Sequence, residues 1–311
     1  QSQTHTVTTV GDDLLGELTV ALATDGTASW TFNPAPDVDH SSTTPSFTFK
    51  AEIVDTDGDT DSDTHTITVT DGTDPQDAVT QSITLDEDDL SDGSSPSSSA
   101  LTQIATLSFT AGSDTLDSFV FNGTAGLDTA GGEIVWVLNP AATEIKGYVN
   151  GNENTGDLAI TLTIGGATSI APTNSGDVTV TAVLSDEFAN TFGDDSQTNF
   201  NLGSVTVTGS DGDDTVNGIV NVAVIDDVPS VEISADMTSG SASDTTDSVA
   251  EDGSDLTGVI TLVEGADQNA TLNVTLEGTD VLGGPISFTI DGTDQSQTHT
   301  VTTVGDDLLG E

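Results

Sequence analysis

Cysteine and arginine are missing from these 311 residues, and lysine occurs only as Lys50 and Lys146. Without cysteine there are no disulfide staples and no thiolate metal or redox sites. Against the two lysines stand 53 acidic residues, for a net charge of −51. Such a surface repels nucleic acid and anionic membranes, which carry the same sign, and attracts divalent cations. No apolar run approaches the ~20 residues that a spanning helix needs, so no membrane insertion is expected. Helical periodicity is absent as well. Aromatics make up only 4%, so any core must be mostly aliphatic. High charge with few aromatics also suits a disordered chain, but the apolar pattern is too regular for that.

Catalytic signatures are missing too. The histidines are His5 (repeated as His299), His40 and His65, none at a zinc-like spacing to another. There is no Gly-x-Ser-x-Gly elbow and no phosphate-cradling glycine loop, so neither an enzyme nor a small-molecule substrate is expected. His65 falls on the apolar face of a strand-like run and reads as a core histidine. His40, beside Asp39, reads as a loop hydrogen-bonding residue. Trp136 and Tyr148 read as core rather than as a carbohydrate platform.

What is present is repetition. Residues 295–311, QSQTHTVTTVGDDLLGE, are identical to residues 1–17 at an offset of 294. Such a match implies near-identical copies in series, of which this stretch is a window with arbitrary ends and no leader sequence. A weaker repeat lies inside the period. Ala111-Gly112-Ser113-Asp114 parallels Glu264-Gly265-Ala266-Asp267, and Asp57-Gly58-Asp59 precedes Pro75 as Asp211-Gly212-Asp213 precedes Pro229. Three segments follow: 1–74 is the C-terminal part of a repeat domain, 75–229 a complete domain, and 230–311 the N-terminal part of the next.

Strand signals run nearly throughout. Residues 64–70, 177–183 and 204–208 alternate polar and apolar positions with period two, and their Thr and Val suit a pleated, half-buried surface. Asp-Gly pairs at Asp25, Asp57, Asp71, Asp211 and Asp291 predict tight hairpins with φ > 0 at both central residues. Many short strands at this spacing predict an all-β, antiparallel sandwich. Because Lys50 and Lys146 lie in or beside such runs, slow trypsin cleavage is expected.

The chemistry lies in the carboxylates. Asp55, Asp57, Asp59, Asp61 and Asp63 alternate through one stretch, and Asp211, Asp213 and Asp214 form a second group. Two charges 4 Å apart repel by roughly 1–4 kcal/mol, and calcium, which accepts six to eight oxygens with loose geometry, relieves that. The domain borders supply a third constellation. Asp71 and Asp74 precede Pro75, with Glu87 and Asp88 after a spacer; Asp226 and Asp227 precede Pro229, with Glu251 and Asp252 after a spacer. Carboxylates from both sides of a border would hold one ion and stiffen the hinge.

Gly112-Ser113-Asp114 ahead of an apolar strand, Gly131-Gly132 leading to Val135 and Trp136, and Lys146-Gly147-Tyr148 together resemble the long repeats of type I secreted RTX adhesins. Asp25-Gly26-Thr27-Ala28-Ser29-Trp30, Val38-Asp39-His40 and the stretch from Asp57-Gly58-Asp59 to Asp226-Asp227-Val228-Pro229 are similar to later parts of the same repeat. The resemblance implies an extender: tandem immunoglobulin-like domains, stiffened by Ca2+, that hold a binding tip away from a bacterial cell surface for attachment or biofilm formation. It departs from the family at Pro75, where the paired Asp is lacking, and no Gly-Gly-x-Gly-x-Asp nonapeptide is present. Neighbouring identical repeats are the expected partners. A self-assembling filament or surface-layer subunit, and a glycan- or protein-binding module, are the alternatives.

Overall fold

Strands form where β-branched residues alternate with polar ones, and the alternation sets what is buried. Val178, Val180, Ala182 and Leu184 turn inward while Thr179 and Thr181 lie at the half-exposed face. The computed structural model describes residues 1–9, 14–38, 40, 43–188, 199–234, 258–266, 270–275, 281–282, 286–290, 301–303 and 308–310. Their regular structure is β apart from three single-turn 3-10 segments. No helix among the described residues is long and apolar enough to cross a membrane.

The first segment holds β1 (Ser2–Thr8), β2 (Leu14–Leu22), β3 (Ala28–Pro34), β4 (Ser46–Val54) and β5 (Thr60–Thr68). β1-β2-β3 form one antiparallel sheet and β4-β5 a hairpin. Leu15, Val38 and Val69, with Phe32 and Phe47 beside them, make a small core. Trp30, Phe49 and His65 pack against one another, with ring centroids 5.2–5.8 Å apart. Yet Trp30 is 46% exposed and Ile53 72%. His65 is therefore not a core residue as its strand position suggests: its ring meets Trp30 and Phe49, yet the residue stays exposed.

The segment 75–229 is a closed β-sandwich. It contains β6 (Gln81–Asp86), β7 (Thr102–Thr110), β8 (Leu116–Phe121), β9 (Val135–Leu138), β10 (Glu144–Tyr148), β11 (Leu158–Gly166), β12 (Ser169–Ile170), β13 (Ser175–Leu184), β14 (Asn199–Ser210) and β15 (Thr215–Ile225). Two five-stranded sheets, β7-β13-β11-β10-β9 and β12-β8-β14-β15-β6, face one another. Between them Leu107, Phe109, Leu116, Ile145, Ile160, Leu162, Leu202, Val207 and Val220 are sealed from solvent. Burying such a side chain stabilises by about 1.5–3 kcal/mol, which offsets the low aromatic content. Trp136 and Tyr148 are half-buried, and Trp136 Nε1 donates to the Asp128 carbonyl at 2.7 Å.

One pairing departs from the antiparallel expectation. β6 lies parallel to β15, from Gln81 opposite Val220 to Asp86 opposite Ile225. The chain enters beside the β14–β15 hairpin, where Ala78 N donates to the Asn217 carbonyl. It leaves from the far end of β15, which spans 11 residues, about 35 Å at 3.3 Å per residue. First and last strands running the same way thus put inlet and outlet at opposite ends.

The last segment contains β16 (Ser230–Ser234), β17 (Val259–Val263), β18 (Thr271–Val274), β19 (Val281–Leu282), β20 (Ile286–Thr289), β21 (Val301–Thr303) and β22 (Leu308–Gly310). They form three small sheets: β16-β17, β18-β20 and β19-β21-β22. The duplicated stretch folds alike in both places. Val7 pairs Gly16 and Thr8 pairs Leu14, while Val301 pairs Gly310 and Thr302 pairs Leu308, the same register one period on. In the second copy β19 adds to the outer edge of β21, an edge to which no strand among the described residues pairs on β1.

Candidate metal centre at the first domain junction

The Asp-Gly hairpins build acidic loops, though not in the expected turn. Gly26, Gly58 and Gly212 have positive φ, but Asp25, Asp57 and Asp211 do not. An aspartate at the loop start accepts backbone N–H groups instead. Asp55 Oδ1 takes Asp57 N, Gly58 N and Asp59 N at 2.9–3.3 Å. Asp211 Oδ1 takes Asp214 N at 2.8 Å. These local bonds stabilise a longer loop that needs one left-handed residue rather than two.

Asp55, Asp57 and Asp59 offer oxygens that all lie within 4.8 Å of one another. Asp55 is held below the usual carboxylate range by the hydrogen bond it shares with Asp57 and then by the loop's N–H groups. Asp61 and Asp63 do not join them. They stand on β5 opposite Ile53 and Ala51 and accept the next backbone N–H, from Ser62 and Thr64. Alternation keeps them on one face, but two residues of strand are about 6.8 Å, too far for one ion.

The densest group is at the first junction. Ser113 N donates to the Thr73 carbonyl at 2.8 Å, Ser113 Oγ accepts from Thr73 N, and Asp37 Oδ1 accepts from Thr115 N at 2.7 Å. A Cβ at Gly112 would stand 1.8 Å from the Thr73 oxygen, so only glycine lets the two domains approach this closely. The second junction repeats the device, with Gly265 placed against the Asp227 carbonyl. Around the first contact two sets of side chains converge: Asp71, Asp74 and Asp214, and His40, Asp71, Asp114 and Asp213. Each set draws on both domains, and within each the donor atoms lie within 4.8 Å of one another. Ions with oxygen ligands at 2.3–2.6 Å place opposite ligands about 5 Å apart, so the spacing suits a coordination shell.

The electrostatics are those of carboxylates wanting a cation. Asp114 is buried, and its carboxyl is pushed up to about 6 by burial first, then by the charges of Asp213, Asp37, Asp71 and Asp211. Burial, then Asp74, Asp213 and Asp71, raises Asp214; burial above all raises Asp211. Asp211 itself stays with the hairpin hydrogen bonds, and no cluster among the described residues includes it. Sequence reading missed Asp114, Asp37 and His40 as site residues, although each lies in a motif singled out for other reasons.

The grouping expected across each border differs. Glu87 does not meet Asp71 or Asp74, because the parallel strand β6 carries it to the outlet end. There it is buried, accepts Phe188 N at 2.8 Å and hydrogen-bonds with Asp226. Asp88 sits in the same 3-10 turn, its N–H bonded to Asp86. Asp227 is buried and accepts both Ser94 N and Ser94 Oγ at 2.7 Å. At the outlet Glu87 Oε1 and Asp227 are thus engaged by protein donors, whereas at the Pro75 junction, which lacks the paired Asp, groups of potential ligands converge. Glu251 and Asp252 lie outside the described residues. No protein-family profile matches this sequence, nor does any curated protein.

Proposed function

We propose that this chain is a calcium-stiffened structural extender: tandem repeats in series, of the type found in secreted RTX adhesins, spacing a binding tip from a bacterial surface. The carrying observation is the duplicated hairpin. The same stretch folds in the same register in both copies, and β19 pairs in one copy with the edge that has no strand partner among the described residues in the other. A preceding repeat would supply that strand to β1 and bury Trp30 and Ile53. The opposed inlet and outlet of 75–229 support an in-line chain, since domains joined end to end extend rather than fold back. Acidic loops at Asp55–Asp59 and at the Pro75 junction supply oxygen ligands for Ca2+, the hard cation such loops suit.

Calcium at millimolar external levels would fill sites with dissociation constants of roughly 10⁻⁴–10⁻³ M, and cytosolic levels would not. Each site adds about 2.7 kcal/mol at a hundredfold excess over its dissociation constant. A chelator is expected to lower the melting temperature and shorten the maximum dimension in small-angle scattering. Asp57→Ala with Asp59→Ala is expected to reproduce part of the stability loss. Unchanged melting temperature and dimension in chelator would sink the reading. Were single periods to assemble end to end without being linked, sedimentation at rising concentration would favour a self-assembling filament instead.

A further inference from the structure

The ion sites of this chain are not of one kind. Asp55, Asp57 and Asp59, and Asp71, Asp74 and Asp214, offer only oxygen, but the remaining cluster includes a ring nitrogen of His40 beside Asp71, Asp114 and Asp213. His40 Nε2 lies 3.1 Å from the Val69 carbonyl. A carbonyl can only accept, so Nε2 carries the proton and Nδ1 is the nitrogen left with a lone pair. Nδ1 is sealed from solvent and has no hydrogen-bond partner.

A second buried group points into the same place. Asp114 is 8% exposed, and the charges of Asp213, Asp37, Asp71 and Asp211 surround its carboxyl. A buried imidazole nitrogen without a partner, and a carboxylate crowded by like charges, are both costly unless a ligand satisfies them. Calcium and magnesium prefer oxygen throughout, whereas an imidazole among carboxylates suits zinc and its first-row neighbours. The hydrogen bond from Nε2 to a backbone carbonyl is the outer-shell contact that metal-bound histidines make, fixing ring orientation and tautomer.

We infer that His40 Nδ1, Asp71, Asp114 and Asp213 form a site for a borderline transition metal of the zinc class, joining the first two domains beside the calcium ligands. Asp71 belongs to both groups, so the two ions would share a carboxylate edge. The inference rests on the reading of this junction as ion-bridged, not on calcium being the ion. It makes the Pro75 junction chemically distinct from its counterpart at Pro229, where Asp227 is satisfied by Ser94.

Cobalt(II) serves as a spectroscopic stand-in for zinc. Titrated into the chelator-treated full chain with millimolar calcium present, Co2+ is expected to give visible d–d bands that saturate near one ion per chain and that Zn2+ bleaches. His40→Ala should abolish the bands and weaken Zn2+ binding at least about tenfold, the order lost when even an outer-shell partner goes. Asp114→Asn should weaken it while leaving the fold, judged by circular dichroism, unchanged. Undiminished bands in His40→Ala, or the absence of bands with calcium present when they form without it, would overturn the inference. A calcium-induced rise in melting temperature that survives in His40→Ala keeps the extender reading apart from this one.

Discussion

At the scale of single residues the molecule is a set of carboxyl groups held in the wrong state for water. Asp114 and Asp86 are pushed up to about 6 by burial, and Glu187 to about 7 by its hydrogen bond with Asp186 and then by burial. Each folded value lies above the ordinary carboxylate range, so between about pH 4 and 7 the folded chain holds protons that the unfolded chain has released. Stability contributed by these protons is present at low pH and lost as pH rises through 6 to 7. In chelator, the melting temperature is therefore expected to fall between pH 5 and 7.5. A chelated melting temperature that climbs over that range would contradict the assignment. The acidic loops themselves were legible in the sequence, because Asp at alternate positions is visible by eye. Asp114 and His40 were not, because what makes them ligands is a contact between segments far apart along the chain. Nothing local marks a lone Asp after Gly112-Ser113, or a His in a loop, as the member of a cluster.

Elements were more legible than sites. The Thr and Val alternation placed β5, β13 and β14 nearly correctly, since period two is a property of each strand alone. The parallel partnership of β6 and β15 had no such signal, as pairing direction depends on where the chain re-enters a sheet after nearly the whole domain has intervened. That one pairing also moved Glu87 to the outlet end. Strand position now separates the two lysines, both expected from sequence to resist trypsin. Lys146 lies in the middle of a sheet, paired to Val137 on one side and Thr161 on the other. Lys50 has Thr64 as its one strand partner among the described residues, on a two-stranded hairpin. Local opening is easier where few contacts cross. Trypsin in calcium is therefore expected to cut this chain first after Lys50 and to spare Lys146. Mass spectrometry of early fragments would decide; first cleavage after Lys146 would mean the sandwich is less ordered than β10 implies.

At the scale of the whole molecule, the apolar faces of the outer segments ask for company. Ile53 and Trp30 on one side, and Val231 and Ile233 (61% and 69% exposed) on the other, are surfaces that a closed domain would hide. Two or more full periods expressed in line are expected to bind less of a hydrophobic dye per period than the single chain does. Equal dye binding per period would mean that neighbouring copies leave these faces bare. The central sandwich has a further property when many copies are anchored at one end and pulled at the other. Its first strand is tugged back towards the anchor and its last strand forward towards the load, and these two lie side by side in the same direction over six residue pairs. The bonds between them slant across the line of pull and take the load together, so they must slip as a group rather than break singly. Pulled from its two ends, a sandwich arranged in this way would resist tension through that pairing as a unit.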